Sequence, residues 1–217
     1  MTGRLEAVLF DLDGTLLDSE KVWEQALSDL ATELGGRLSA TARARMVGSS
    51  MGVSTAILHD DLGVDADPEA SAAFLTERMA ELFGTELEWK PGAHDLLQAV
   101  HDAGIPAALV TATHRRLTEI ALDFMGRGLF TASVCGDEVS RSKPAPEPYL
   151  RAAALLATPI ARCVAVEDSP TGAASALAAG CRVLAVPSEL ELQARPGWTV
   201  RTSLVGVGVD DLRALIR

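Results

Sequence analysis

The fold is decided by residues 7–15, which read AVLFDLDGT. The first four residues are a continuous apolar run, which is typical of a strand covered on both faces in a parallel sheet. Two carboxylates, Asp11 and Asp13, follow the run directly. The stretch therefore predicts a buried strand that ends in acidic side chains.

Similar runs recur along the chain and alternate with helical patterns. We expect strands at 107–110, 163–166 and 183–186 and helices at 93–103, 115–125, 148–156 and 171–179. Short buried strands separated by helices indicate βαβ units. The pattern predicts an α/β fold with a Rossmann-like, doubly wound parallel sheet.

Residues 17–88 lack any strand-like run and carry amphipathic helical patterns instead. One pattern spans 19–34, and another begins after an N-cap at Asp67, with Pro68 at the first helical position. The chain length allows either one large domain or a core with an insertion. We therefore expect a core formed by 1–16 and 89–217, and a small helical domain at 17–88.

Composition narrows the classes of partner. The 19 Lys and Arg against 30 Asp and Glu give a formal net charge of −11, which argues against nucleic acid or an anionic membrane surface as a partner. The apolar run at 7–10 is too short for a signal peptide or a membrane span. The three cysteines have no ligand spacing and are typical of buried thiols in a reducing cytoplasm. We expect a cytoplasmic monomer.

Polar residues follow three of the predicted strands. Asp11, Thr111 and the pair Glu167–Asp168 stand directly after apolar runs, and Lys143 lies in a loop between two of them. A single Asp at a strand end is usually a turn or capping residue. Ligands of open α/β sheets bind beyond the carboxyl ends of the strands, so together these residues predict one shared crevice.

These residue types suit phosphoryl transfer. Adjacent carboxylates raise each other's pKa unless a cation lies between them, and Mg²⁺ prefers such oxygen ligands. A carboxylate can attack phosphorus while a second one transfers protons. Lys143 would neutralise charge, and the Thr111 hydroxyl and the amides after it would hold phosphoryl oxygens.

Four motifs then resemble those of the haloacid dehalogenase superfamily of phosphohydrolases: DLDGT at 11–15, TAT at 111–113, SKP at 142–144 and EDS at 167–169. The resemblance covers nearly the whole chain and implies a helical cap at the inserted segment. It implies Asp11 as nucleophile and Asp13 as general acid and base. It also implies Mg²⁺ held by Asp11, the main-chain carbonyl of Asp13, and Asp168 with support from Glu167.

The resemblance also limits the activity. Dehalogenases and phosphonatases lack the second aspartate, whereas this chain has Asp13. Relatives that act as beta-phosphoglucomutases have a histidine at the position of Trp23. Sugar-phosphate phosphatases of the same superfamily resemble this chain in having a tryptophan there. Trp23 could equally be a core residue of its helix. We expect a sugar-phosphate phosphatase. The expected substrate-binding residues are Ser50, Trp23, Thr111, Ala112, His114 and Lys143.

Other activities stay open at this point. A phosphosugar mutase and a phosphoglycolate, nucleotide or pyridoxal phosphatase share the same motifs. A phosphate-binding module without turnover is a more remote alternative, because such proteins usually lose one of the paired aspartates, and Asp11 and Asp13 are both present.

Overall fold

The computed structural model describes residues 4–46, 49, 51–188, 192 and 195–216. The chain divides into two compact units. The α/β unit comprises Met1–Asp18 and Glu88–Arg217, and the helical unit is Ser19–Leu87. The helical patterns in the sequence predict this segment at 17–88.

In the described part of the α/β unit, six strands form one parallel sheet. The strands are β1 (Ala7–Phe10), β2 (Ala107–Val110), β3 (Ala132–Val134), β4 (Cys163–Glu167), β5 (Arg182–Ala185) and β6 (Trp198–Val200). Their order is β3-β2-β1-β4-β5-β6, so the chain builds outward from β1 in one direction and then in the other. This reversal places the topological switch point between β1 and β4.

Helices cover both faces of the sheet. The helices of the α/β unit are α5 (Ala93–Asp102), α6 (Arg115–Met125), α7 (Glu147–Leu155), α8 (Pro170–Ala179) and α9 (Val209–Leu215). Helices α7 and α8 share an apolar core with Leu9, Ala108 and Ala165 of the strands. Successive strand residues point to opposite faces, and α5 and α9, which contact β2 and β5, lie outside that core. The α/β class and the doubly wound parallel sheet are thus confirmed.

Strands β3 and β6 have no recognisable signal in the sequence, for a physical reason. β3 and β6 are the outer strands of the sheet and contain only three residues each. Each has a polar central residue, Ser133 or Thr199, and is only partly buried. A short edge strand is covered less than a central one, so neither has the apolar run that revealed β1, β2 and β4.

The helical unit contains α1 (Ser19–Glu33), α2 (Ala40–Met46), α3 (Met51–Leu62) and α4 (Pro68–Phe83). Helix α4 begins as the sequence indicates: Asp67 is the N-cap, and its Oδ1 accepts a hydrogen bond from the amide of Glu69 at 2.9 Å. Helix α1 packs against α4, and α3 packs against α2 and α4. Across the described ranges, no helix is long and apolar enough to cross a membrane.

Candidate active site

The carboxyl ends of three adjacent strands supply the site. Asp11 follows β1, Thr111 follows β2, and Glu167 ends β4 with Asp168 immediately after it. β1 pairs with both β2 and β4, so these residues emerge side by side at the switch point. The convergence expected from the sequence therefore follows from the strand order.

Three buried carboxylates form a compact group there. One oxygen of each of Asp11, Glu167 and Asp168 lies within 4.8 Å of the other two. Glu167 is completely buried, and Asp11 and Asp168 are almost so. An oxygen-only donor set of this size and charge suits a hard divalent cation.

Lys143 supplies positive charge to the same group. Its Nζ donates hydrogen bonds to Asp11 Oδ1 and Glu167 Oε1, each at 2.6 Å, and to the carbonyl of Val110 at 2.9 Å. The side chain is 7% exposed. Because an ammonium has three N–H donors, these three hydrogen bonds occupy all of them. Lys143 thus pairs with two of the three carboxylates.

Burial and charge shift the pKa values of the pair. Burial, followed by the negative charge of Glu167, raises the pKa of Asp11 from 3.8 to about 7, although Lys143 opposes the shift. Burial by itself lowers the pKa of Lys143, but the adjacent Asp11 and Glu167 carboxylates outweigh it and the net direction is upward. Lys143 is therefore charged at neutral pH, and Asp11 needs further positive charge to be fully ionised there.

A tight turn after β1 adds a hydroxyl to the group. Gly14 has a φ of +75°, and the amide of Leu16 donates to the carbonyl of Leu12 at 2.9 Å. The turn brings Thr15 back over the acidic side chains, where its Oγ1 lies 3.1 Å from Asp11 Oδ2 and 3.2 Å from Asp168 Oδ1. Thr15 belongs to the first motif, but nothing in the local sequence indicates this contact with Asp168.

Two threonines of the second motif hydrogen-bond the Asp13 carboxylate. Its Oδ2 accepts hydrogen bonds from Thr111 Oγ1 at 3.0 Å and from Thr113 Oγ1 at 2.7 Å. The amide of Thr113 in turn donates to Thr111 Oγ1 at 2.9 Å. The side-chain group that could hold a metal contains Asp11, Glu167 and Asp168 and does not include Asp13. The Asp13 carboxylate is therefore oriented by the second motif.

Tyr149, on the first turn of α7, completes the group from below. Its hydroxyl donates to Glu167 Oε1 at 2.5 Å, and its ring lies beneath Lys143 Nζ, 5.2 Å from the centroid. Burial and the charges of Glu167 and Asp11 raise its pKa well above 10.0, so the hydroxyl stays protonated. Sequence analysis missed this residue, because nothing in the local pattern distinguishes it from a core aromatic.

The remaining expected site residues are placed as follows. Ala112 and His114 are exposed in the turn between β2 and α6, and His114 is the N-cap of α6 without a side-chain capping bond. Trp23 is half-buried on α1 of the helical unit. Ser50 lies outside the described residues.

Comparison with known proteins matches this architecture to one family. A family model for haloacid dehalogenase-like hydrolases matches residues 8–186. Protein CbbY of Rhodobacter capsulatus is 34% identical over 196 residues, which cover 85% of this chain and 86% of that protein. Hexitol phosphatase A of Escherichia coli (strain K12) is 36% identical over 186 residues, which cover 84% of this chain and 83% of that protein.

A solved structure agrees with the sequence relatives. The structure of CbbY from Rhodobacter sphaeroides in complex with phosphate matches this chain with a TM-score of 0.83 and 27% sequence identity. The match covers 96% of this chain and 99% of the CbbY chain.

Proposed function

Because the chain belongs to the haloacid dehalogenase-like hydrolases and is a phosphoric monoester hydrolase, we propose that it is a Mg²⁺-dependent phosphatase of small sugar phosphates. The observation that carries the proposal is the buried pair of Asp11 with Lys143, together with an Asp13 carboxylate that Thr111 and Thr113 orient. A cytoplasmic location also belongs to the proposal and is supported by the three free, buried cysteines.

The acidic group fits a magnesium ion by its donor chemistry. Asp11, Glu167 and Asp168 offer oxygen ligands alone, and Lys143 neutralises only part of their charge. Asp11 and Asp168 would hold the ion, together with the Asp13 main-chain carbonyl and support from Glu167. When bound, the ion would neutralise charge on the phosphoryl oxygens and keep Asp11 ionised.

The first half-reaction uses two aspartates with separate roles. An oxygen of Asp11 attacks phosphorus and forms an aspartyl phosphate while the bond to the sugar oxygen breaks. Asp13 donates a proton to that leaving oxygen. The contacts of the two aspartates support this division, because Thr111 and Thr113 orient Asp13, whereas Lys143 pairs with Asp11.

The second half-reaction reverses the proton transfer. Asp13 now accepts a proton from water, and the water oxygen attacks phosphorus. The bond to Asp11 breaks and inorganic phosphate is released. Lys143 and Thr111 stabilise the transferring group in both halves by charge and hydrogen bonding, which is how phosphoryl transfer is mostly catalysed.

The helical unit is proposed to act as a cap that selects the substrate. A crevice at strand ends is open to solvent unless another element covers it, and a closing lid excludes bulk water from the reaction. Trp23 and Ser50, the expected substrate residues of this unit, would contact the sugar. The name of hexitol phosphatase A, a relative 36% identical, supports a phosphorylated polyol or sugar as substrate.

A panel of phosphorylated metabolites tests the proposal. The purified chain is assayed for free phosphate with hexitol, hexose and pentose phosphates, phosphoglycolate and nucleotides, with MgCl₂ or with a chelator. Beta-glucose 1-phosphate is assayed in parallel for glucose 6-phosphate, with a bisphosphate primer. We expect Mg²⁺-dependent phosphate release, highest on a sugar or polyol phosphate.

Three results would contradict the proposal at different levels. Efficient isomerisation with little phosphate release would make the enzyme a mutase. A strong preference for phosphoglycolate or a nucleotide would remove the sugar and keep the hydrolase. Full turnover after exhaustive chelation would remove the metal.

A further inference from the structure

Tyr149 is the single tyrosine of the chain and, among the residues that the structure describes, the largest completely buried side chain. It belongs to α7, whereas the carboxylates it approaches belong to the ends of β1 and β4. A buried phenol usually finds a hydrogen-bond partner, but a backbone carbonyl would suffice for that. Here the hydroxyl donates to the carboxylate of Glu167 instead.

Two side chains donate hydrogen bonds to Glu167 Oε1, and they differ in the number of carboxylates that each contacts. Tyr149 donates to this oxygen at 2.5 Å and Lys143 donates to it at 2.6 Å. Lys143 also donates to Asp11 Oδ1 at 2.6 Å and so divides its charge between two carboxylates. Tyr149 donates to Glu167 alone among the described side chains. The neutral hydroxyl thus satisfies Glu167 without drawing the ammonium away from Asp11.

The other side of Glu167 is confined as well. Ser169 Oγ lies 3.3 Å from Glu167 Oε2. A Cβ at Gly172 would stand 1.9 Å from Glu167 Oε1 and 2.1 Å from its Cδ. No side chain larger than hydrogen therefore fits at Gly172 while Glu167 keeps its position, and the carboxylate is held between α7 and α8.

We propose that Tyr149 is a positioning residue whose hydroxyl holds the Glu167 carboxylate in place for metal binding and for the sharing of Lys143 with Asp11. The inference rests on the proposed Mg²⁺-dependent function. Groups that hydrogen-bond metal-ligating carboxylates orient them, and loss of such a group typically costs about 10–100-fold in metal affinity or activity.

The test is the Tyr149→Phe variant, which keeps the buried ring and removes only the hydroxyl. The dissociation constant for Mg²⁺ is measured by isothermal titration calorimetry with MgCl₂ and without substrate. We expect a rise of about 10-fold over wild type. In turnover assays the Mg²⁺ concentration for half-maximal rate should rise in parallel, while the KM for substrate at saturating Mg²⁺ changes much less.

Thr118→Val is the matched control. Thr118 is completely buried, and its hydroxyl donates to the carbonyl of His114 at 3.1 Å, so this variant also loses one buried hydroxyl. We expect Thr118→Val to lower the melting temperature and leave the Mg²⁺ dissociation constant unchanged. An unchanged dissociation constant in Tyr149→Phe, with only a lowered melting temperature, would reduce Tyr149 to a packing residue and overturn the inference.

Gly172→Ala gives an independent approach to the same carboxylate. Its methyl group would displace Glu167 from the opposite side and should weaken Mg²⁺ binding while the Tyr149 hydroxyl is intact. Wild-type Mg²⁺ affinity in both variants would show that the position of Glu167 has no influence on the ion. Absence of Mg²⁺ binding by the wild-type chain is a separate outcome, which would remove the proposed metal dependence and this inference with it.

Discussion

The two units bury polar groups in opposite ways. The α/β unit buries the ionisable residues Asp11, Glu167 and Asp168 around Lys143. In the described part of the helical unit the buried polar residues are hydroxyl-bearing: Ser19, Ser54, Thr55 and Ser71. Its ion pairs, such as Arg78 with Asp29 and with Glu81, involve side chains that are partly or largely exposed. Buried charge is costly and persists where it is paired or used, so the difference supports the proposed location of the chemistry in the α/β unit.

The same substitution, Asp to Asn, in each unit tests this difference most directly. Asp11→Asn should lower turnover by about 10⁵-fold or more, because an amide is a poor nucleophile. Asp29→Asn in the helical unit should leave turnover close to wild type. Phosphate release is measured on samples checked for deamidation, and circular dichroism confirms that both variants fold. Wild-type-like turnover of Asp11→Asn would refute the assigned nucleophile.

Removal of one cationic side chain from each unit tests how much its ion pairs contribute to the free energy of unfolding. Lys143→Met leaves Asp11 and Glu167 buried without their partner and should lower the free energy of unfolding of the metal-free protein by about 3–5 kcal/mol. Arg78→Met removes two partly exposed ion pairs, with Asp29 and Glu81, and should have a much smaller effect. Urea denaturation in the presence of a chelator measures both. Equal losses would contradict the contrast between the units.

The raised pKa of Asp11 makes the stability of the folded protein depend on pH, and the expected effect is of intermediate size. The folded, metal-free protein holds the Asp11 proton more tightly than the unfolded chain, because the pKa rises from 3.8 to about 7 on folding. The Asp11 carboxyl therefore destabilises the folded state most above pH 7, where it must be ionised. This destabilisation disappears as the pH falls through 7 towards 4. Mg²⁺ requires the ionised carboxylate and competes with the proton.

We consequently expect the rise in melting temperature caused by MgCl₂ to be largest near pH 8 and to shrink between pH 7 and 5.5. Differential scanning calorimetry with and without MgCl₂ measures it. The Asp11→Asn variant provides the control, since it lacks the titrating group and should show a smaller rise with a weaker pH dependence. A Mg²⁺-induced rise that grows as pH falls would contradict the assignment.

The smallest expected effect lies inside the helical unit. Trp23 is half-buried on α1, whereas Leu27 on the same helix is completely buried. Trp23→Ala should raise the KM for the preferred sugar phosphate by about 3–10-fold, equivalent to roughly 1 kcal/mol of substrate binding. Leu27→Ala should instead cost about 2–5 kcal/mol of stability. A Trp23→Ala variant that loses stability as Leu27→Ala does, at unchanged KM, would make Trp23 a core residue.

Much of the fold could be predicted because its signals are local. The apolar runs at β1, β2 and β4 are continuous since those strands are buried on both faces, and α6 begins and ends where its periodicity does. The N-cap at Asp67 is likewise a property of neighbouring residues. The edge strands β3 and β6 were missed because a half-covered strand needs no apolar run.

The candidate site divides along the same line. The acidic residues, Thr111 and Lys143 could be identified because each follows a recognisable strand or stands in a short motif. Tyr149 could not, since it gains its importance from α7 packing beneath the end of β4, a contact between residues 18 positions apart. The bridge from Thr15 to Asp168 spans 153 positions and has no local signature.

Composition, periodicity and motif spacing were sufficient for the α/β class and the parallel sheet, because these depend on which side chains lie near each other along the chain. Tertiary structure alone decided how those side chains divide their contacts. Thr111 and Thr113 donate to Asp13, and Tyr149 joins Lys143 at Glu167. Hydrogen bonds depend on distance and direction in space, and only the packing of β1, β2, β4 and α7 brings these groups within range.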